Sequence, residues 1–543
     1  MKHLKRAGKS RKLADNRDAK ARALVSFLCL NVTKPKKSGS FPNKGFLMPE
    51  SNRLYNYECG YKKPRTNIKG RQSMKSMKRS LVGISTLLVM STALAACGGN
   101  NSNNTSNSNA ASPTTAPAAN ATEAPAKSTE KVTINLWSFT DEIPNMTKKY
   151  METHPDANVD FKTTVIATTD GAYQPALDQA LAAGGKDAPD IYAAESAFVL
   201  KYTQGDASTY AANYADLGLD DQMVKDAGIA QYSVDIGSKD GELKGLGYQA
   251  TGGAFIYRRS IAKDVFGTDD PAAIKGEVGP GWDKFFDAAK KLKAKGYGIV
   301  SGDGDIWHPI ENSSDKGWIV DGKLHIDPKR EQFLDLSKQL KDNGYHNDTT
   351  DWTEAWYADM SGTGKQPIFG FFGPAWLINY VMNGQVKGTN GDWAVTEPPT
   401  GFFWGGTWLL GNKDVVKDDA KKQAVADFIK WVTLDTSDTG LQSFWANGTM
   451  KAGEQGTKDS VASSVVMGKS NGEVPLLGGQ NMFDVFVPAN ANASGKNLTQ
   501  FDETINKLWR DQVREYTAGK KSRDKAIETF KQQVKDQLNI ESE

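Results

Sequence analysis

The first clear periodicity begins at Lys131. Val132-Thr133-Ile134-Asn135-Leu136-Trp137 alternates apolar and polar positions with the period of two that a half-buried strand requires. Ser138-Phe139-Thr140-Asp141 then reads as a turn into a helix whose apolar face carries Ile143, Met146, Tyr150 and Met151, and which His154-Pro155 stops. A second strand includes Val159 and Phe161, a second helix carries Leu177 and Leu181, and a third strand runs through Asp190-Ile191-Tyr192-Ala193-Ala194. Strand, helix, strand, helix at this spacing predicts an α/β domain with a largely parallel sheet. Further helical stripes are Trp282, Phe285, Ala289 and Leu292, closed by Gly296, and Ala424, Phe428 and Trp431. Phe501, Ile505 and Leu508, then Ile527, Phe530, Val534 and Leu538, predict two C-terminal helices.

Upstream of Lys131 the pattern changes character. Met74-Lys75-Ser76-Met77-Lys78-Arg79-Ser80 is a basic start to the apolar run Leu81–Met90, and Ser91-Thr92-Ala93-Leu94-Ala95-Ala96-Cys97 ends it in small residues. That is the build of an export signal over 74–96. Residues 1–73 precede a segment that belongs at an N-terminus, so translation is expected to start at Met74 or Met77. Gly70-Arg71 can be encoded by purine-rich codons at a ribosome-binding distance from Met74; the alternative is a disordered basic arm. Asn100–Glu130 has almost no apolar side chains to repay its ordering entropy and reads as a flexible linker.

Composition sharpens this division. The 543 residues predict two to four domains. The net charge of +3 is misleading, because residues 1–97 hold 22 of the 67 basic residues and only 4 of the 64 acidic ones, leaving a balance of −15. A nucleic-acid partner is excluded for the folded part on that balance. Cys29, Cys59 and Cys97 all precede residue 98, so the globular part has no internal disulfide, thiolate metal site or cysteine nucleophile. Five scattered histidines make no metal cluster, and no metal or cofactor is expected.

The chemistry lies in aromatic residues and carboxylates. All 13 Trp lie beyond residue 130, and Trp307, Trp376, Trp404 and Trp408 sit in Gly-rich contexts where backbone and ligand can approach closely. Flat indole faces suit ligands with apolar C–H faces and a polar rim, as sugars have. Trp431 and Trp445 read as core instead. Glu195 and Asp141 follow strands, near the rim where α/β sheets bind ligands, and a carboxylate can orient a sugar by accepting from adjacent hydroxyls. Asp141 reads equally as a helix N-cap. No H-E-x-x-H, G-x-S-x-G or P-loop is present. A paired-carboxylate enzyme has no local spacing rule, so Asp303 and Asp305 stay candidates for one, against their reading as a polar turn.

At this point the chain resembles the extracellular solute-binding proteins of bacterial carbohydrate ABC importers, the maltose-binding-protein-like group. The residues that carry the resemblance are the lipobox Leu94-Ala95-Ala96-Cys97, Ile134–Phe139, Ala188–Glu195, Leu246–Gly253 with Ile256–Arg259, Gly281–Phe285, Gly373–Trp376, Phe403–Trp408 and Val474–Gln480. It covers Cys97 to about Gln537. It implies a two-lobed, type II periplasmic-binding-protein-like α/β fold, each lobe a mixed sheet flanked by helices, with a hinge between. The lobes are expected at 131–248 with 398–455, and at 249–397 with 456–543, crossing at Tyr248-Gln249-Ala250 and Ala394–Pro399. Trp137, Thr140, Glu195, Trp404 and Trp408 are implied for one cleft wall, Trp307 and Trp376 for the other, with Gln249 at the crossing and Gln480 at the base. Asp141 and Asp305 join them as ligand-binding candidates. The resemblance further implies a lipid on Cys97 anchoring the protein to the outer face of the cell membrane. It implies a monomer that delivers a mono- or oligosaccharide to importer permease subunits without covalent chemistry. The competing expectations are a lipid-anchored glycoside hydrolase or polysaccharide lyase using Asp303, Asp305 or Glu195, and a surface adhesin without a closing cleft.

Overall fold

The computed structural model describes residues 131–168, 171–386 and 388–543. The export signal, the lipobox and the linker lie outside the described residues. Strand β1 (Val132–Ser138) leads into helix α1 (Glu142–Thr153), β2 (Val159–Val165), α2 (Tyr173–Ala183) and β3 (Ile191–Glu195). β1 pairs in parallel with both β2 and β3, as strands joined through crossover helices must. Ile134 and Leu136 are fully buried on one face of β1, as the alternation predicts. On α1, Ile143, Met146 and Tyr150 are buried, and Tyr150 sets its edge against Phe428 and Trp431.

The next strands of the sheets are β4 (Gly245–Gly247), β5 (Ala254–Arg258), β6 (Gly370–Gly373), β7 (Trp393–Thr396) and β8 (Thr407–Gly411). The first sheet has the order β2-β1-β3-β8-β4 and the second β6-β5-β7. The expectation of a largely parallel sheet holds only for β2-β1-β3. β8 returns from far along the chain to run antiparallel to β3 and β4, and both neighbours of β5 are antiparallel to it. Period-two patterning fixes which face a side chain takes but carries no direction of pairing, so this mixing was not readable locally.

Helix α3 (Trp282–Ala294) lays Phe285, Ala289 and Leu292 on the second sheet, where Phe255, Phe285, Phe369 and Phe372 form an aromatic core. Fully burying side chains of this size contributes ~1.5–3 kcal/mol each. Helices α4 (Gly304–Asn312) and α5 (Pro328–Asp342) follow, α6 (Asp419–Thr433) covers the first sheet, and α7 (Asp502–Thr517) and α8 (Arg523–Leu538) close the chain. The chain passes from the first sheet to the second between Gly247 and Ala254, and back between Thr396 and Thr407. These segments are bonded side by side: Gly253 N donates to Phe402 O at 2.9 Å and Trp404 N to Thr251 O at 3.0 Å. Residues 459–463 join them, with Ala462 N donating to Tyr248 O at 3.0 Å. Among the described residues no helix is long and apolar enough to cross a membrane.

Candidate functional site

A cavity of about 470 Å³ opens where the Phe403–Gly405 segment meets the loop after β3, the polar face of α4, the Thr350–Trp352 loop and the long polar face of α7. Glu195, Ser196 and Ala197 form one side. His308, Glu311, Asp351 and Trp352 also line it, with Glu503, Arg510 and Arg514 along α7.

Its aromatic floor is built around Trp404. His308 stacks on Trp404 at 4.6 Å between centroids and 25° between planes, and Trp376 meets Trp404 edge-on at 4.8 Å. Trp376 Nε1 donates to Trp404 O at 2.9 Å, which ties the two tryptophans together. Trp352 stacks nearly parallel to Trp376 at 5.9 Å and keeps 51% of its surface exposed. Two backbone features allow this. Gly405 has φ +75°, and a Cβ there would stand 3.4 Å from Trp376 Nε1. Trp352 itself has φ +66°, a left-handed conformation that costs of order 1 kcal/mol for a side chain of its size. The protein holds an indole face in solvent at the expense of local backbone energy.

Part of the wall is an ordered charge network. Arg510 donates to Asp351 Oδ1 at 2.6 Å, and Arg514 reaches the same oxygen at 3.5 Å. Burial opposes ionisation of Asp351, but the charge and hydrogen bond of Arg510 outweigh it and hold the pKa below the ordinary carboxylate value. Glu311 follows the same logic: burial opposes its charge, yet His308 at 3.4 Å wins and lowers its pKa. Glu195 is different. It accepts only from neutral donors, Ser196 Oγ at 3.0 Å and Ala197 N at 2.8 Å, and burial, with a contribution from Glu503, raises its pKa.

Of the residues expected to bind ligand, the structure brings Glu195, Trp404 and one edge of Trp307 to this cavity, with Trp376 directly behind. Trp307 is only 1% exposed and packs against Phe333 on the core side of α4, so it is chiefly a core residue. Trp408 corrects the sequence reading outright. It lies within β8, 1% exposed, with Nε1 donating to Ser233 O at 3.1 Å, because β8 is buried on both faces. Asp305 is also withdrawn from ligand: its Oδ2 caps Ser301 N and Gly302 N at 2.9 Å each and its Oδ1 accepts from Trp356 Nε1. Burial pushes its pKa up to about 7. Gly302–Asp305 therefore opens α4, as turn chemistry predicts, and Asp303 is engaged by Arg514 at 3.7 Å. Gln480 is a third correction, since its amide brackets Val395, accepting from N at 2.9 Å and donating to O at 2.8 Å. Gln249 donates to Asp459 at the passage between the sheets. Trp137, Thr140 and Asp141 end β1 away from the cavity lining. Trp137 is half-buried and Thr140 and Asp141 are exposed, and Asp141 occupies the N-cap position without a side-chain capping bond. Trp431 and Trp445 are buried, as expected. Sequence reasoning missed His308, Asp351, Trp352, Glu503, Arg510 and Arg514. The signal for the last three, a polar stripe at helical spacing, is indistinguishable from an ordinary solvated face. Among the described residues, no group of three or more His, Cys, Asp or Glu is placed to hold a metal ion.

The sequence matches the profile of the bacterial extracellular solute-binding proteins over residues 145–464. The chain belongs to that family. No curated protein matches it. Solved structures share the solute-binding protein's fold. One extracellular solute-binding protein of family 1 superposes with a TM-score of 0.60 at 18% identity, covering 74% of this chain and 98% of that one. The sugar-binding protein MalE of Xanthomonas citri gives 0.55 at 15% identity, covering 75% and 97%. A transporter-associated binding protein of B. animalis subsp. lactis Bl-04, solved with β-1,6-galactobiose, gives 0.51 at 20% identity, covering 75% and 97%. The solute-binding protein thus has the type II periplasmic-binding-protein-like architecture, with mixed sheets flanked by helices.

Proposed function

We propose that this solute-binding protein captures a carbohydrate in the cavity around Trp404 and delivers it to an ABC-type importer. The observation that carries the reading is the solvent-facing indole of Trp352, set beside Trp404 and Trp376 in a cavity that Glu195 and the Asp351–Arg510 pair also line. Indole faces stack on the C–H face of a pyranose, while carboxylates and guanidinium fix its hydroxyls. The neighbours that hold β-1,6-galactobiose or are described as sugar-binding lend support by fold. The lobes are taken as 131–248 with 398–455 and 249–397 with 456–543. Ligand contacts made from both sides are available only in the closed form, and that difference in affinity shifts the hinge equilibrium. The protein does no covalent chemistry in this reading: Asp305, the best-placed candidate acid of a hydrolase, spends both oxygens on internal donors. It acts as a monomer, held outside the membrane by a lipid on Cys97 whose Asn100–Glu130 linker gives reach.

The test is calorimetric titration of the protein with a panel of labelled mono- and oligosaccharides, followed by chromatography of the recovered ligand. Saturable binding of an intact sugar, weakened at least tenfold by Trp404→Ala, is the expected result. Turnover of the sugar, or no binding across the panel, overturns the reading.

A further inference from the structure

The formal charges lining the cavity do not cancel. Every basic group in its wall is engaged by a carboxylate: Arg510 and Arg514 by Asp351, Lys507 by Asp511, and His308 by Glu311. Three lining carboxylates, Glu195, Asp502 and Glu503, make no ion pair. Glu503, on the first turn of α7, has no hydrogen-bond or ion-pair partner among the described residues, and Glu195 accepts only from Ser196 and Ala197. Both line the cavity, Glu195 and Ser196 at the end of β3 and Glu503 on α7, near enough for Glu503 to disfavour the charge of Glu195. Each also has a raised pKa. Burial is the main cause for both; Glu503 adds to it at Glu195, and Glu311 adds to it at Glu503, where His308 and Arg510 offset only part of the rise. A second observation points the same way. Asp502, beside Glu503 in the cavity lining, is 6% exposed and its Oδ2 is buried without a hydrogen-bond partner.

We propose that the cavity is built for a saccharide bearing a protonated amine, gripped between Glu195 and Glu503 with its ring against Trp404 and Trp352. The proposal rests on the carbohydrate-capture reading above and narrows it. A bare pair of such carboxylates opposes closure through like-charge repulsion. An ammonium placed between them turns that repulsion into two charge-assisted hydrogen bonds. The same cation gains from neighbouring indole faces.

The experiment is isothermal titration of the full-length protein at pH 7 and low salt with the β-1,4-linked glucosamine dimer, its N-acetylated counterpart and cellobiose. The amine dimer is expected to bind at least tenfold tighter than either neutral dimer, and Glu503→Gln to abolish that preference. Thermal unfolding of the unliganded variant checks the fold, and Glu195→Gln provides a second, independent loss of preference. Equal affinity for the three dimers, or a preference that survives both substitutions, overturns the amine proposal. Should neutral oligosaccharides of the wider panel bind while the glucosamine dimer does not, the amine proposal falls and carbohydrate capture stands. Should no saccharide bind, both fall.

Discussion

Replacing Asp459 by asparagine isolates the energy of one buried acid at the passage between the sheets. Asp459 is 1% exposed. It accepts from Ser460 N at 2.8 Å and from Gln249 Nε2 at 3.3 Å, and Glu142, hydrogen-bonded to Tyr248, lies close enough to disfavour its charge. Burial pushes its pKa from 3.8 up to about 8. Between those two values the folded state binds more protons than the unfolded chain, so stability falls as pH rises through this window and the loss is complete above its upper end. At ~1.4 kcal/mol per pH unit the full traverse is worth at most roughly 6 kcal/mol. Entry of water and movement of Gln249 leave a few kcal/mol of this. Asparagine keeps the shape of the neutral acid and an oxygen for Ser460 N but never ionises. Urea unfolding of both proteins at pH 5 and pH 9 measures the difference. At pH 5, about one unit into the window, Asp459→Asn should be more stable by no more than ~2 kcal/mol, and at pH 9 that gap should have widened by a further ~2 kcal/mol or more. Asp305 and Asp502, both raised to about 7, are common to the two proteins and cancel. A stability difference that does not change with pH would refute the reasoning.

Trp408→Ala should destabilise the protein by ~3–5 kcal/mol in denaturant unfolding, as a large core deletion does, whereas Trp404→Ala should cost far less stability and act on ligand affinity. Asp351→Asn removes the shared acceptor of Arg510 and Arg514. It should lower stability at pH 7 by ~1–3 kcal/mol, with the gap to wild type closing as pH falls through the depressed pKa of Asp351, read by thermal unfolding across pH 3–7. Cys97→Ser should move the protein from the membrane pellet to the soluble fraction in the producing cell, read by fractionation.

Elements whose burial is one-sided were legible from local pattern. The stripe from Trp282 to Leu292 became a helix over Trp282–Ala294, and the alternation at Val132–Trp137 a strand over Val132–Ser138. Trp404 and Trp408 show where this stops. They lie four residues apart in one Gly-rich segment and look alike there, yet one stacks on His308 at the cavity and the other is sealed in the core as part of β8. What separates them is the start of β8 at Thr407, and β8 exists because β3 and β4, far earlier in the chain, offer it two edges.

Amino-acid order by itself determined the α/β class, the six helices whose apolar stripes are plain in it, and the aromatic and acidic stock from which a sugar site can be made, because periodicity and residue chemistry act over a few neighbours. Tertiary structure alone decided the direction of the returning strands and which indoles see solvent. It also brought Asp351, Glu503 and Arg510 to one cavity with Glu195. These residues are separated by up to hundreds of positions, and their encounter depends on long-range pairing and packing that no local window contains.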